Sequence, residues 1–265
     1  MSDQQKYTNK LSGARVLVVG GSSGIGFSVA EAALEHGAIV TISSSQESRV
    51  QASVEKLKKS YPSLAGHISG YACDLATEEG IENRIKALFD HASSSGGHLL
   101  DHIVFTAGDR LAEMPLEQIS LEKLKAAGMV RFFGPLLFAK IGKNYMSAGP
   151  KSSFVFTTGS VSQKPIPGWS AVAGYASAMH ALVRNLALDL KPIRVNLVSP
   201  GAIDTELWKH WPEDRLNQFK EAVKSQHTTG QMGKPEDVAE AYLYLMRDQN
   251  CSGTMISSNG GSLLT

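Results

Sequence analysis

An apolar run, Val16-Leu17-Val18-Val19, leads straight into Gly20-Gly21-Ser22-Ser23-Gly24-Ile25-Gly26 and then into an amphipathic stretch over residues 24–36. Strand, glycine turn and helix in that order restrict the fold more than any other feature of the chain. Glycine lets the backbone turn tightly, approach a pyrophosphate closely and pack helix against strand. The helix N-terminus supplies unpaired N–H groups and the positive end of the helix dipole. A glycine turn alone says little. Here it ends a strand, opens a helix and heads a long alternating pattern, and that context reads as a dinucleotide-phosphate cradle.

The alternation continues to the end of the chain. Apolar runs bounded by turn residues predict strands over 15–20, 38–43, 67–73, 102–106, 153–158, 194–199 and 254–257. Helical spacing occupies 24–36, 47–60, 78–92, 121–146, 172–190 and 235–246, each long enough for a right-handed crossover. The expected class is α/β, a doubly wound parallel sheet of about seven strands with helices on both faces. With 265 residues, 42% of them hydrophobic, and no internal repeat, one domain over 1–265 is expected. Residues 204–233 carry Trp208 and Trp211 among charges and read as a lid over a site.

Charge and composition exclude several roles. A net charge of +1, from 26 basic and 25 acidic residues mixed along the chain, leaves no basic stripe for nucleic acid. Cys73 and Cys251 are far apart and form no C-x-x-C pair, so neither a disulfide framework nor a thiolate metal site is implied. His98 and His102 flank Leu99-Leu100-Asp101 at the start of a strand and are expected to be surface histidines, not a metal pair. The polar stretch over residues 1–10 has no apolar core of a signal peptide, and no run approaches a membrane span. A cytoplasmic protein with a small-molecule partner and no metal, membrane or nucleic acid is expected.

The end of the second strand decides which dinucleotide fits. A carboxylate there accepts from a ribose 2′-hydroxyl and repels a 2′-phosphate. Ser43, Ser44 and Ser45 stand there instead, Ser22 and Ser23 are nearby, and Arg49 opens the next helix. That set suits an anion, so NADP(H) is expected over NAD(H).

The spacing Gly20-x-x-x-Gly24-x-Gly26 resembles that of the short-chain dehydrogenases/reductases, and the resemblance covers nearly the whole chain. Asp74-Leu75 resembles the family's adenine contact. Thr106-Ala107-Gly108 resembles its Asn-Asn-Ala-Gly turn, and Ser199-Pro200-Gly201 with Ile203 and Thr205 its nicotinamide-side loop. Arg194-Val195-Asn196 and Asn259-Gly260-Gly261 also fall where the family has matching signatures. The resemblance implies a Rossmann-type sheet, a nicotinamide cofactor, and pairing of the two long middle helices into a homodimer or homotetramer.

The same resemblance implies a Ser, Tyr, Lys and Asn relay, and the sequence departs from it. None of the seven tyrosines is followed by Lys four residues later. Tyr175 lies thirteen residues after Ser162, the family's interval, but Met179 takes the lysine position. An ungapped match of residues 154–158 and 186–190 instead puts Gly159, Val172 and Ala176 at the Ser, Tyr and Lys positions, with Tyr175 displaced beside the site. Arg131, within Val130-Arg131-Phe132-Phe133-Gly134, stands where the Asn belongs. A guanidinium at the back of an apolar pocket needs an anion, a carbonyl or a carboxylate; Asp109 is one candidate partner, and a substrate oxygen or the cofactor is another. Trp169, after Lys164-Pro165-Ile166-Pro167-Gly168, is placed to rim the pocket.

Reducing a ketone creates an alkoxide that must be protonated, and loss of the general acid costs about 10² to 10⁴ in rate. Reducing an iminium ion creates a neutral amine and needs no acid. The residues therefore suit an NADP(H)-dependent oxidoreductase acting on a small secondary-metabolite-like molecule, with C=N bonds favoured. Arg131, Asp109 and Trp169 are similar to those of fungal indole-alkaloid enzymes that reduce such a bond and shape a following [4+2] cycloaddition, from which Ile166 departs in lacking an acidic group. An ordinary carbonyl reductase using Tyr175 or water, and a non-catalytic NADP(H) sensor, are the alternatives.

Overall fold

The computed structural model describes residues 6–265; the first five positions of the polar stretch read over 1–10 lie outside them. Strands β1 (Arg15–Val19), β2 (Ile39–Ser44), β3 (Ile68–Ala72), β4 (His102–Phe105), β5 (Ser153–Thr157), β6 (Arg194–Pro200) and β7 (Met255–Ser258) form one sheet in the order β3-β2-β1-β4-β5-β6-β7. Every pairing is parallel. This is the doubly wound α/β Rossmann-type sheet expected from the sequence, and its order reverses direction between β1 and β4, where such sheets bind ligands beyond their carboxyl ends.

A parallel sheet covered on both faces needs strands that are apolar at consecutive positions. Val16 and Val18 enter one core, together with Val104, Val155 and Val198, under α1 (Gly24–Glu35), α2 (Glu47–Ser60) and α8 (Pro235–Arg247). Leu17 and Val19 point the other way, with Ile103, Phe105, Phe154 and Phe156, beneath α3 (Ile81–Ala92), α5 (Gly134–Gly142) and α6 (Ser170–Asp189). The strand period of two thus sends alternate residues into two separate cores.

The helix expected over 121–146 is broken. α4 (Leu121–Gly128) passes into a π-turn, Met129–Phe133, before α5, and a short 3₁₀ turn, Lys143–Tyr145, ends the segment. The Gly134 amide donates to the Met129 carbonyl five residues back, which widens the helix by one residue at Arg131. The region read as a lid holds a helix of its own, α7 (Glu213–Gln226), and its base is clamped where the Asp204 amide meets the Gly233 carbonyl at 2.9 Å. No helix among the described residues is long and apolar enough to cross a membrane.

His102 corrects the surface assignment. It is buried in β4, where its Nδ1 lies 2.9 Å from the Ser153 hydroxyl, while His98 remains exposed. The first residue of a strand in this sheet is already covered on both faces, which the histidine pair's spacing did not reveal. Burial, helped by the charge of Arg194, pushes the His102 imidazole down to about 3. The unfolded chain protonates it near pH 6.5, so between those values the unfolded state holds more protons and acid favours unfolding. This histidine is expected to steepen the loss of stability by up to about 1.4 kcal/mol per pH unit below roughly pH 6.5. Urea midpoints of His102→Gln should fall less steeply than wild type between about pH 6 and pH 4.

Candidate active site

The glycine turn is held by β2. The amides of Gly20 and Gly21 both donate to the Ser43 carbonyl, at 2.8 and 3.0 Å. Gly26 allows α1 to sit directly on the turn: a Cβ there would lie 2.3 Å from the Gly20 carbonyl oxygen and 2.4 Å from the Thr106 hydroxyl. Ser23 precedes α1 without capping it, so the helix presents its first amides outward beside Ser22, Gly24 and Ile25. Thr205 packs against Gly24, which brings the loop after β6 over the same cradle.

The other cofactor-side residues divide into exposed and buried. Arg49 is exposed and reaches Ser23 Oγ at 3.4 Å, with Ser44 and Ser45 on the same rim. Ser43 is wholly buried and its hydroxyl has no partner, so its part is the carbonyl that fixes the turn, not an anion contact. Leu75 is likewise buried in the core, leaving only its backbone to face a ligand. Asp74 folds back on its own loop, accepting from the Ala76 amide at 3.0 Å and the Thr77 hydroxyl at 2.7 Å. The Thr77 bond, with the Ala76 amide and Arg84, holds its carboxyl below the usual range. Ile203 is buried beside Pro200 and Gly201, and its carbonyl accepts the Trp208 indole N–H at 2.8 Å.

Arg131 and Asp109 do meet. Arg131 Nε donates to Asp109 Oδ1 at 2.9 Å, and Nη2 donates to the Asp109 backbone carbonyl. A Cβ on Gly108 would lie 3.0 to 3.1 Å from the guanidinium, so the planar group rests flat on the Ala107-Gly108 turn. Burial raises the Asp109 carboxyl and lowers the Arg131 guanidinium, each partly offset by the other's charge. Asp109 Oδ2 and Arg131 Nη1 take no part in the pair.

The three positions matched to Ser, Tyr and Lys offer no acid. At Gly159 a Cβ would meet nothing nearer than the Pro200 carbonyl at 3.9 Å, Val172 is buried, and Ala176 gives its carbonyl to the Thr158 hydroxyl at 2.7 Å. The Tyr175 hydroxyl is already committed, donating to the Leu124 carbonyl at 3.0 Å. Trp169 stands half-buried at the N-terminal end of α6, and its loop is tied to the loop after β4 by the Met114 amide and the Gly168 carbonyl at 3.0 Å.

The tryptophans of residues 204–233 pack within that segment. Trp208 is buried against Trp211 and Phe219, with ring centroids at 5.0 and 4.8 Å. Trp211 lies under the Arg215 guanidinium at 3.8 Å, and Arg215 pairs with Glu113, in the loop after β4, at 3.1 Å. The two tryptophans that marked this segment in the sequence thus pack on one another and on Phe219. The Arg215–Glu113 pair is hidden from sequence reasoning because the partners are 102 residues apart and neither belongs to a recognisable motif.

A family model described as an SDR-like Rossmann domain matches residues 7–265. The chain belongs to the short-chain dehydrogenase/reductase family. Among its family relatives, the short-chain dehydrogenase/reductase fsr5 of Gibberella fujikuroi is 42% identical over 267 residues, covering all of both chains. The solved MalC reductase/Diels-Alderase from Malbranchea aurantiaca is 38% identical, with a TM-score of 0.92 over 98% of this chain and 100% of that one. A small-chain dehydrogenase solved in complex with NADPH is 25% identical, with a TM-score of 0.77 over 96% of this chain and 100% of that one.

Proposed function

We propose that this family member is an NADP(H)-dependent reductase of a small secondary-metabolite-like substrate, acting on C=N bonds without a Tyr/Lys acid. The observation that carries the reading is the Arg131–Asp109 pair lying on the Gly108 turn, while Gly159, Val172 and Ala176 fill the positions where the family's relay stands. Its relationship to fsr5 and to the MalC reductase/Diels-Alderase supports the substrate class.

The cradle fits the cofactor: open amides at the start of α1, close packing at Gly26, and serines with Arg49 where a carboxylate would repel a 2′-phosphate. When bound, the nicotinamide supplies the hydride. In this reading the Asp109 carboxylate balances a cationic C=N group, and the Arg131 guanidinium donates to a neighbouring substrate oxygen. On the same reading, residues 204–233, tied to the loop after β4 by the Arg215–Glu113 pair, act as a lid that limits water in the pocket. The exposed Leu136 on α5 and Leu188 on α6 are where we place the contact of a homodimer or homotetramer.

Arg49→Ala is expected to weaken NADPH binding about tenfold and leave NADH binding unchanged, since only the 2′-phosphate distinguishes them. Fluorescence titration with both nucleotides measures it, and equal loss for the two would remove Arg49 from the phosphate site. The central test follows NADPH oxidation against paired cyclic iminium ions and ketones. Turnover of iminium ions with little of ketones supports the reading. Efficient ketone turnover would return the chain to ordinary carbonyl reduction with water or Tyr175 as acid, and NADPH binding with no turnover at all would favour a sensor.

A further inference from the structure

We propose that Tyr175 is a positioning residue for Arg131: it holds the π-turn that aims the guanidinium at the Gly108 turn. The inference rests on the reading above, in which Arg131 faces the substrate.

A π-turn is an unfavourable irregularity that persists only where its surroundings fix it. Each residue added to a helix rotates the next turns by about 100°, so the extra residue at Met129–Phe133 decides which way Arg131 points. Tyr175 touches this turn from three sides. Its hydroxyl donates to the Leu124 carbonyl at 3.0 Å, in the turn of α4 just before the irregularity. Its ring lies on the backbone of Gly128, where a Cβ would come within 2.6 Å of Cζ and 2.8 Å of the hydroxyl oxygen. The same ring packs on Phe132 and Phe133, the two residues after Arg131, with centroids at 5.5 and 6.2 Å.

Gly128 is therefore the counterpart of Tyr175. Any side chain there would push the ring off the helix, so the small residue admits the tyrosine and the tyrosine fixes the turn. Tyr175 also lies three residues beyond Val172 on α6, about 300° around the helix axis. That rotation carries its hydroxyl to α4 and away from the position matched to the family's acid.

The Arg131 Nε–H group gives a direct readout, because its bond to Asp109 shifts its ¹⁵N–¹H resonance away from that of a solvent-exposed arginine. The resonance is recorded in the NADPH-saturated enzyme, assigned by its disappearance in Arg131→Lys, and compared in Tyr175→Phe, Tyr175→Ala and Gly128→Ala. Tyr175→Ala and Gly128→Ala are expected to move it to the exposed position and to lower kcat about 10²-fold, the cost of a misplacement of roughly 1 Å. Tyr175→Phe keeps the ring, so a partial shift, a loss of about tenfold and an unchanged pH–rate profile are expected. An unmoved resonance in Tyr175→Phe and Tyr175→Ala would overturn the proposal. So would loss of the alkaline limb of the pH–rate profile in Tyr175→Phe, which would make the hydroxyl a proton donor. If Arg131→Ala leaves turnover unchanged while the Tyr175 variants still move the resonance, the positioning role stands and the proposed function fails.

Discussion

Arg131→Ala is expected to lower kcat/KM for the substrate by about 10² to 10³, the usual cost of removing one fixed donor from a dry site. The guanidinium lies flat on the Ala107-Gly108 turn and is held by both the side chain and the backbone of Asp109. Its removal withdraws the donor and also leaves the half-buried Asp109 carboxylate without its counter-charge. That carboxyl, already raised by burial, then rises further and turns neutral nearer to physiological pH. The variant should therefore show a new pH dependence: activity toward a cationic substrate increases as pH rises through the Asp109 value. Wild type, with Asp109 ionised by its partner, should show no such limb in that range. Steady-state kinetics with NADPH saturating measure both effects. An unchanged kcat/KM with a lower melting temperature would reduce the pair to a brace for the turn.

How far the sequence foretold this site depended on the kind of residue. The seven strands were legible because a sheet covered on both faces demands unbroken apolar runs, and Val16 to Val19 or Phe154 to Phe156 can hardly be read otherwise. The Arg131–Asp109 pair was legible because a charge in an apolar helix asks for a partner, and Asp109 follows the one turn that reaches it. The π-turn was not. Its residues, Met129-Val130-Arg131-Phe132-Phe133, are compatible with plain helix; the break is framed by Pro135, which has no N–H for the Arg131 carbonyl, and by Tyr175 some 40 residues further on. Gly128 and the Gly134-Pro135 pair at either side were the only local signals. Ser43 and Leu75 have buried side chains for a related reason: position in a motif names the residue beside a ligand but not the direction of its side chain. The packing of Trp208 and Trp211 on Phe219 was not legible, because Phe219 belongs to a helix that the polar sequence of residues 213–226 concealed.

Arg194→Met should cost about 3 to 5 kcal/mol of stability, a large share of what holds a domain of this kind folded. Arg194 is buried at the start of β6, and its guanidinium donates to the carbonyls of Pro150, Leu245, Met246 and Cys251. Leu245 and Met246 lie in the last turn of α8, whose final carbonyls have no intrahelical partner, and a cation there also meets the negative end of the helix dipole. Pro150 and Cys251 belong to the segments before β5 and β7, so one side chain ties the end of α8 to the loops leading into two strands. Met keeps much of the volume but supplies no donor. Water reaching the gap would satisfy some of the carbonyls, which is why the expected cost is below the sum of four charged bonds. A fall of about 10 °C in melting temperature is expected for a domain of this size. The loss should appear equally with and without NADPH, because the bonds lie beneath the sheet's far side and not at the glycine turn. A drop below about 1 kcal/mol would mean that the carbonyls find other partners, and that α8 is held on the sheet by its apolar face, Val238, Tyr242 and Leu245, alone.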